Sequence, residues 1–345
     1  MGGEAELPAV VRALVEAGRA APSADNSQPW AFEWDGQRLR VRAREAGGFP
    51  PDAHATLLSV GAVLENLEQA AAALGVALTC EPGGEPGVHA QIPLDPAAAA
   101  GPLDPEAPLF QRHTNRLPTR PEVPDGAILE ALEAGEPASG PAVRVITDPE
   151  TLRGLAEAVA LASAIRFRVP ELHRALMGSL RLGEAEARRG DGLDVATLGL
   201  PPGGAALLRW LRPWPRMRRL NRLGLYRLLA WPDGRRIRSA PAVAVVSGGS
   251  GDPVAAGRLM ERAWIRACQH GLAVHPYYAV TDQLQRLHRR QLPAPLEAPA
   301  RRLEERVGQL ALAGGVPDLL LRLGWPRREP VRSQRLPLGA LTAPR

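Results

Sequence analysis

Apolar residues recur along the chain at spacings that predict its elements one after another. Val10, Val11, Leu14, Val15 and Ala21 fall three to four apart, as one face of an amphipathic helix does. Pro22 ends that helix, because the residue before a proline is pushed out of the helical region. Ser23, Asp25, Asn26 and Ser27 follow, short polar side chains that hydrogen-bond locally on a turn fixed at both ends by Pro22 and Pro29. The next five residues, Trp30-Ala31-Phe32-Glu33-Trp34, alternate as a strand does, and Asp35-Gly36 predicts a hairpin turn of the primed type. Leu57, Leu58, Val60, Val63, Leu64, Leu67, Ala70, Ala71 and Leu74 predict a long helix ending at Gly75, with a strand at 76–80.

Residues 95–108 are rich in Pro and Ala and read as a linker. Beyond it the pattern predicts a helix from about Ala127, a strand over 143–147, a helix from Pro149 to about Ala164 and an edge strand over 242–246. A helix from Pro253 to Gly271 and a last strand over 318–323 complete the series. Residues 183–237 match nothing in the first part of the chain.

Composition narrows the class. At 345 residues and 45% hydrophobic content the chain can bury a large core in two lobes and is too apolar for disorder. All 42 basic residues are arginine, and the net charge of +5 is modest for this length, so charge alone predicts no nucleic-acid partner. Cys80 and Cys268 are isolated, which argues against zinc. No basic and apolar leader is visible, nor any apolar run of the ~20 residues a membrane span requires. A cytoplasmic protein with no membrane partner is the expectation.

Residues Ala21 to Trp30 read A-P-S-A-D-N-S-Q-P-W. The string resembles A-P-S-x-x-N-x-Q-P-W of the nitroreductase superfamily of FMN-dependent oxidoreductases, matching it at Ala21, Pro22, Ser23, Asn26, Gln28, Pro29 and Trp30. Gly61, Ala62, Asn66, Leu67, Ala70, Ala71, Leu74 and Gly75 resemble the long central helix of that family. The arginine motif with which such proteins begin is found here at Arg112-His113-Thr114-Asn115-Arg116-Leu117-Pro118, an order that suits two copies rather than one. The first copy has the polar loop without the arginine pair, and the second has the arginines without the loop. This division is similar to the Acg-type branch, whose members are two-lobed single chains.

The resemblance implies an α+β fold of two lobes, 1–108 and 109–345, with mainly antiparallel sheets flanked by helices and a lid over about 183–237. It implies one FMN per chain, in a monomer that imitates a dimer, with NAD(P)H as electron donor and a nitroaromatic, quinone or similar small molecule as acceptor. Pro22, Ser23, Asn26 and Gln28 would lie against the flavin. Arg112, Arg116, Arg332 and Arg335 are the candidates for its phosphate, since guanidinium forks bind phosphate through paired charge-assisted hydrogen bonds. Thr114 or Asn115 would reach the pyrimidine edge. No side chain is required as acid, base or nucleophile, the chemistry being that of the flavin.

Three features leave alternatives open. His275-Pro276-Tyr277-Tyr278 stands where ordinary nitroreductases carry an E-G motif, so a protein that binds or sequesters FMN with little reductase activity is the second reading. Ser247 to Asp252 follow a strand and precede a helix, but lack the lysine of a phosphate-binding loop and read as a turn. Finally, Leu207 to Trp231 is basic and amphipathic with three tryptophans, suited to a membrane or nucleic-acid surface or, as the resemblance implies, to a lid packing over the flavin.

Overall fold

The computed structural model describes residues 7–98, 101–135, 140–247 and 251–342. Two long helices, His54–Leu74 and Pro253–Gln269, cross at its centre, and glycine permits the crossing. A Cβ on Gly61 would lie 2.0 Å from the Val254 carbonyl oxygen, and one on Gly257 would lie 2.1 Å from that of Leu58. Backbone therefore rests on backbone, and any side chain at either point would force the helices apart. The two contacts are equivalent: each glycine meets the carbonyl of the residue three positions before the other. One turn beyond each glycine stands a buried glutamate, Glu65 on the first helix and Glu261 on the second.

A three-stranded antiparallel sheet, Trp30–Trp34, Arg38–Ala43 and Val88–Pro93, alternates buried and less buried positions. Its inner face packs on Ala9–Arg19 and on the first central helix, whose apolar residues it shields from water. A second sheet runs in the order Ala134–Gly135, Ala142–Ile146, Ala242–Ser247, Pro317–Gly324, Ala273–Tyr277, antiparallel throughout. Its two faces serve different cores. Ala242, Ala244 and Val246 join the cluster that contains Trp30 and Trp264, while Val243 and Val245 face the helices Pro149–Arg166, Ala279–His288 and Ala294–Gln309. The first of these clusters draws on both halves of the chain, from Val10 to Leu341.

Residues beyond Gly324 leave the second sheet and run to the first. There the Phe32 N–H donates to the Leu341 carbonyl at 2.7 Å, and Phe32 forms a parallel bridge with Thr342. An edge strand of the first sheet is thus covered by a segment of the second half.

The α+β architecture holds, with two local differences. Ala242–Ser247 is interior rather than an edge, and every position along it is buried because helices cover both faces. Residues 76–80 form no strand; Val76, Leu78 and Cys80 pack on the core, but no neighbour pairs with their backbone until the Glu81–Gln91 bridge. At the first hairpin Trp34 pairs with Leu39 and the Asp35 N–H donates to the Arg38 carbonyl at 3.3 Å, so Gly36 and Gln37 are the central residues, and Gly36 is left-handed (φ 97°) as the first central position of a primed turn requires. The Asp35 carboxylate holds this turn by accepting from the N–H groups of Gln37 and Arg38, at 3.0 and 2.8 Å. Ser247 and Asp252 bracket residues outside those described, and Asp252 caps the second central helix by accepting from Val254 and Ala255.

Candidate flavin site

Residues Ala21 to Trp30 fold into a strained loop held by its own side chains. Ala24–Asn26 makes one 3₁₀ turn, and Asp25, Asn26 and Gln28 have φ of 50°, 55° and 49°. Asp and Asn tolerate the left-handed region through local hydrogen bonds, whereas Gln28 bears a cost of about 1–2 kcal/mol. What offsets it is hydrogen bonding. The Gln28 N–H donates to Ser23 Oγ at 2.9 Å. The fully buried Gln28 side chain donates to the carbonyls of Asn26 (3.2 Å) and Gly190 (2.8 Å), and its Oε1 accepts from the Leu336 N–H (2.9 Å). Asn26 Nδ2 donates to the carbonyls of Gly190 (3.1 Å) and Gln334 (3.0 Å), while its Oδ1 accepts from Arg335. Pro22, half-buried, sets the chain's entry into this turn.

The four predicted phosphate arginines separate into three places. Arg112 and Arg335 meet: their Nη2 groups donate to the same Ala20 carbonyl, at 2.6 and 3.2 Å. Arg112 Nε lies 2.8 Å from Glu261 Oε1, both groups buried, and its guanidinium lies 4.7 Å from the centre of the Trp264 ring. Arg116 instead turns toward Thr197, donating to its hydroxyl at 3.3 Å. Arg332 is exposed and donates to Gln111 Oε1 at 2.8 Å. The structure does not bring it to the Ala20 carbonyl where Arg112 and Arg335 meet. Thr114 bridges Val274, extending the second sheet beyond Ala273–Tyr277. Asn115 is spent on the chain itself, its Oδ1 accepting from the Leu117 N–H at 3.0 Å and its Nδ2 donating to the Arg328 carbonyl at 3.4 Å.

Three residues that sequence reasoning did not select complete the arginine cluster. Arg19 donates to the Leu336 carbonyl at 3.2 Å, Glu261 faces Arg112, and Trp264 stacks beneath it. Glu261 was legible in one way, through its equivalence to Glu65, which takes a bidentate pair of hydrogen bonds from Arg262 at 2.8 and 2.7 Å. Electrostatically the cluster is unbalanced, three guanidiniums against one carboxyl. Burial pushes the Glu261 carboxyl up to about 7, and Arg112 and Arg335 only partly oppose this. Burial and the neighbouring Arg112 push Arg335 down to about 9. Positive charge in excess inside a protein is relieved by an anion.

A second buried group lies along Ala273–Tyr277. The His275 and Tyr277 rings are 4.3 Å apart, and Arg322 donates to the carbonyls of Asn115 and Leu117 at 3.0 and 2.7 Å. Among the described residues His275 Nδ1, Tyr277 Oη and Arg322 Nε have no hydrogen-bond partner. Burial, together with Arg322, Arg116 and Arg236, holds the His275 imidazole neutral, and burial raises the Tyr277 hydroxyl.

The insertion divides in two. Residues 190–199 lie against the loop and its surroundings: Gly190 binds Asn26 and Gln28, Thr197 binds Arg116, and Gly199 sits against Leu117. The helices Gly204–Leu211, Trp214–Asn221 and Leu225–Arg238 are placed differently from the expected lid. The third packs along Pro149–Arg166, and Leu207, Trp210, Leu223, Leu228 and Trp231 are exposed. Among the described residues no helix is long and apolar enough to cross a membrane, and no three His, Cys, Asp or Glu are grouped to hold a metal.

No protein-family model matches the chain. The uncharacterized protein MT1398 of Mycobacterium tuberculosis (strain CDC 1551 / Oshkosh) is 28% identical over 275 residues, which cover 76% of this chain and 38% of that protein. The chain thus spans well under half the length of this relative. Among solved structures, the nitroreductase with bound FMN from Bacteroides fragilis NCTC 9343 is 10% identical, covering 69% of this chain and 97% of its own at a TM-score of 0.36. The FMN and NADPH-dependent nitroreductase NfnB from sphigopyxis sp. strain HMH is 18% identical, covering 70% and 99% at 0.36. The FMN-dependent nitroreductase NfnB from Mycobacterium smegmatis, in complex with NADPH, is 18% identical, covering 69% and 96% at 0.35.

Proposed function

We propose that this chain is an FMN-dependent oxidoreductase of the nitroreductase type, passing two electrons from NAD(P)H to a nitroaromatic, quinone or similar small acceptor. One FMN per chain is held between two lobes that stand in for two subunits. The observation that carries this reading is the meeting of Arg112 and Arg335 at the Ala20 carbonyl. They come from distant parts of the chain to the foot of the A-P-S-A-D-N-S-Q-P-W loop, where three guanidiniums face one carboxyl.

The residues present fit the phosphate end of FMN. Arg112 and Arg335, with Arg19 beside them, supply forked donors to a dianion, and Glu261 sets the strength of that field. FMN, when bound, supplies the ability to take up a hydride and pass on two electrons. The chain's own part is to orient it through the rigid Ser23 to Gln28 turn and to keep water from it. His275 and Tyr277, both neutral and buried, offer hydrogen bonds within the same half without carrying charge.

One observation favours the second reading, an FMN-binding protein with little reductase activity: His275-Pro276-Tyr277-Tyr278 stands where ordinary nitroreductases carry an E-G motif. Asn26 and Gln28 are already bonded to Gly190, Gln334 and Leu336, so residues 190 and 334–336 must shift for the loop to bond to a flavin ring. The purified protein's visible spectrum and flavin content test the shared claim. We expect oxidised-flavin bands at one FMN per chain. A colourless protein that FMN does not reconstitute, or two FMN per chain, overturns it. Steady-state oxidation of NAD(P)H then separates the two readings.

A further inference from the structure

The helices at 204–238 carry ten arginines and one acidic residue, Asp233, in a chain whose formal net charge is only +5. The rest of the protein is therefore net acidic, and the positive charge is concentrated on this segment. Asp233 is not available to neutralise the surface, since its carboxylate accepts from Ser163 Oγ at 2.8 Å and pairs with Arg236. Nine of the ten arginines are exposed, all but Arg236.

Large apolar side chains stand among these charges. Leu223 is 85% exposed at the turn between two helices, Leu228 67% and Trp231 56%, and Trp210 is 50% exposed on the preceding Gly204–Leu211 helix. Leu228 and Trp231 are one turn apart on the same helix face, with Arg235 stacked 4.9 Å over the Trp231 ring. The opposite face of that helix is committed to Pro149–Arg166, with Ala230 and Ile237 buried. Beside Trp231 opens a cavity of about 690 Å³, floored by Ile165 and Ala230 and rimmed by Arg168, Arg227 and Arg302.

We propose that this face docks on an anionic phospholipid bilayer. Aliphatic tips flanked by arginines match a lipid surface in both respects, the tips entering the acyl boundary while the guanidiniums bind headgroup phosphates. A nucleic acid would satisfy the arginines, but it takes a leucine tip only as a wedge between unstacked base steps, at a cost of about a few kcal/mol per step, whereas the acyl boundary takes it without that cost. None of these exposed arginines, leucines and tryptophans belongs to the loop or the arginine cluster of the candidate flavin site, so docking does not depend on the flavin reading.

Co-sedimentation of the full chain with phosphatidylcholine vesicles, with and without phosphatidylglycerol, is the test. We expect binding only to the anionic vesicles, lost at high salt, with a blue shift of tryptophan fluorescence. Leu223→Ser with Leu228→Ser, and separately Arg218→Glu with Arg219→Glu and Arg222→Glu, should each weaken binding by about tenfold or more. Thermal melting and flavin content should be unchanged in both variants. Absence of vesicle binding, or equal binding to neutral and anionic vesicles, overturns the proposal. So does tight, salt-sensitive binding to duplex DNA that the leucine variant retains. A concentration-dependent dimer that the leucine variant abolishes identifies a second copy as the occupant and likewise overturns it.

Discussion

The loop at 21–30 and the segment at 204–238 face opposite problems. The loop is polar and enclosed, and the chain supplies partners to Asn26 and Gln28 from Gly190, Gln334, Arg335 and Leu336, while among the described residues Ser27 Oγ and Trp30 Nε1 have none. The segment is basic and apolar at the surface, and the chain leaves Leu207, Trp210, Leu223, Leu228 and Trp231 uncovered. A buried polar group without a partner costs about 1–3 kcal/mol, whereas an exposed leucine costs little in the isolated molecule. Burial thus fixes the loop internally, and the segment remains free to meet something outside.

The largest expected effect breaks the loop. Gln28→Leu removes three hydrogen bonds at a fully buried position and leaves the Leu336 N–H orphaned, and should cost about 2 to 4 kcal/mol of stability in urea unfolding. A loss below about 1 kcal/mol would show that the loop is not held by this side chain.

Next come the arginines. Arg112→Ala and Arg335→Ala should each weaken FMN binding by about tenfold or more, roughly 1.5–3 kcal/mol, by fluorescence titration. Arg332→Ala should do much less, because its guanidinium is exposed and bonded to Gln111. Equal losses in all three would reduce the cluster to diffuse charge.

Glu261 gives a smaller, pH-dependent effect. Its carboxyl is raised from 4.5 to about 7 on folding, so between those values the folded chain holds a proton that the unfolded chain has released. The stability this contributes is complete below the unfolded value and is lost as pH rises toward 7. Glu261→Gln should flatten that part of the curve of urea midpoint against pH, and an unaltered slope would contradict the burial argument. The smallest effect belongs to the segment: Leu228→Ser should change stability by less than about 0.5 kcal/mol. A larger loss would mean that its side chain is covered in solution.

The same contrast explains what the sequence disclosed. Periodicity found the long helices and most strands, because burial imposes it: Pro149–Arg166, Pro253–Gln269 and Pro317–Gly324 match their predicted spans within a few residues. It missed the lack of pairing at 76–80, since alternation reports which face is buried and not whether a neighbouring strand exists. The motif at 21–30 marked a strained polar turn, but not its partners, which lie far along the chain. For the arginines the motif selected Arg112, Arg335 and Arg332 alike, and only the structure separates the first two, which meet at the Ala20 carbonyl, from Arg332, whose position depends on how residues 325–342 cross the first half. At 207–231 the pattern gave a basic amphipathic stretch that suited a lid or an outer surface alike, without deciding which its apolar side chains would meet. That is decided by tertiary packing, here against Pro149–Arg166.

The strap that carries Gln334, Arg335 and Leu341 back to the first sheet also sets an order of events. Asn26 is bonded to a carbonyl 308 positions later in the chain. At a synthesis rate of about 5–20 residues per second, roughly 15–60 s separate the two on the ribosome. During that interval the first half has its hairpin and helices but an open sheet edge and an unanchored loop. The nascent chain therefore passes through a long stage in which its most distinctive ten residues are made but unfinished, and chaperone protection is most needed there.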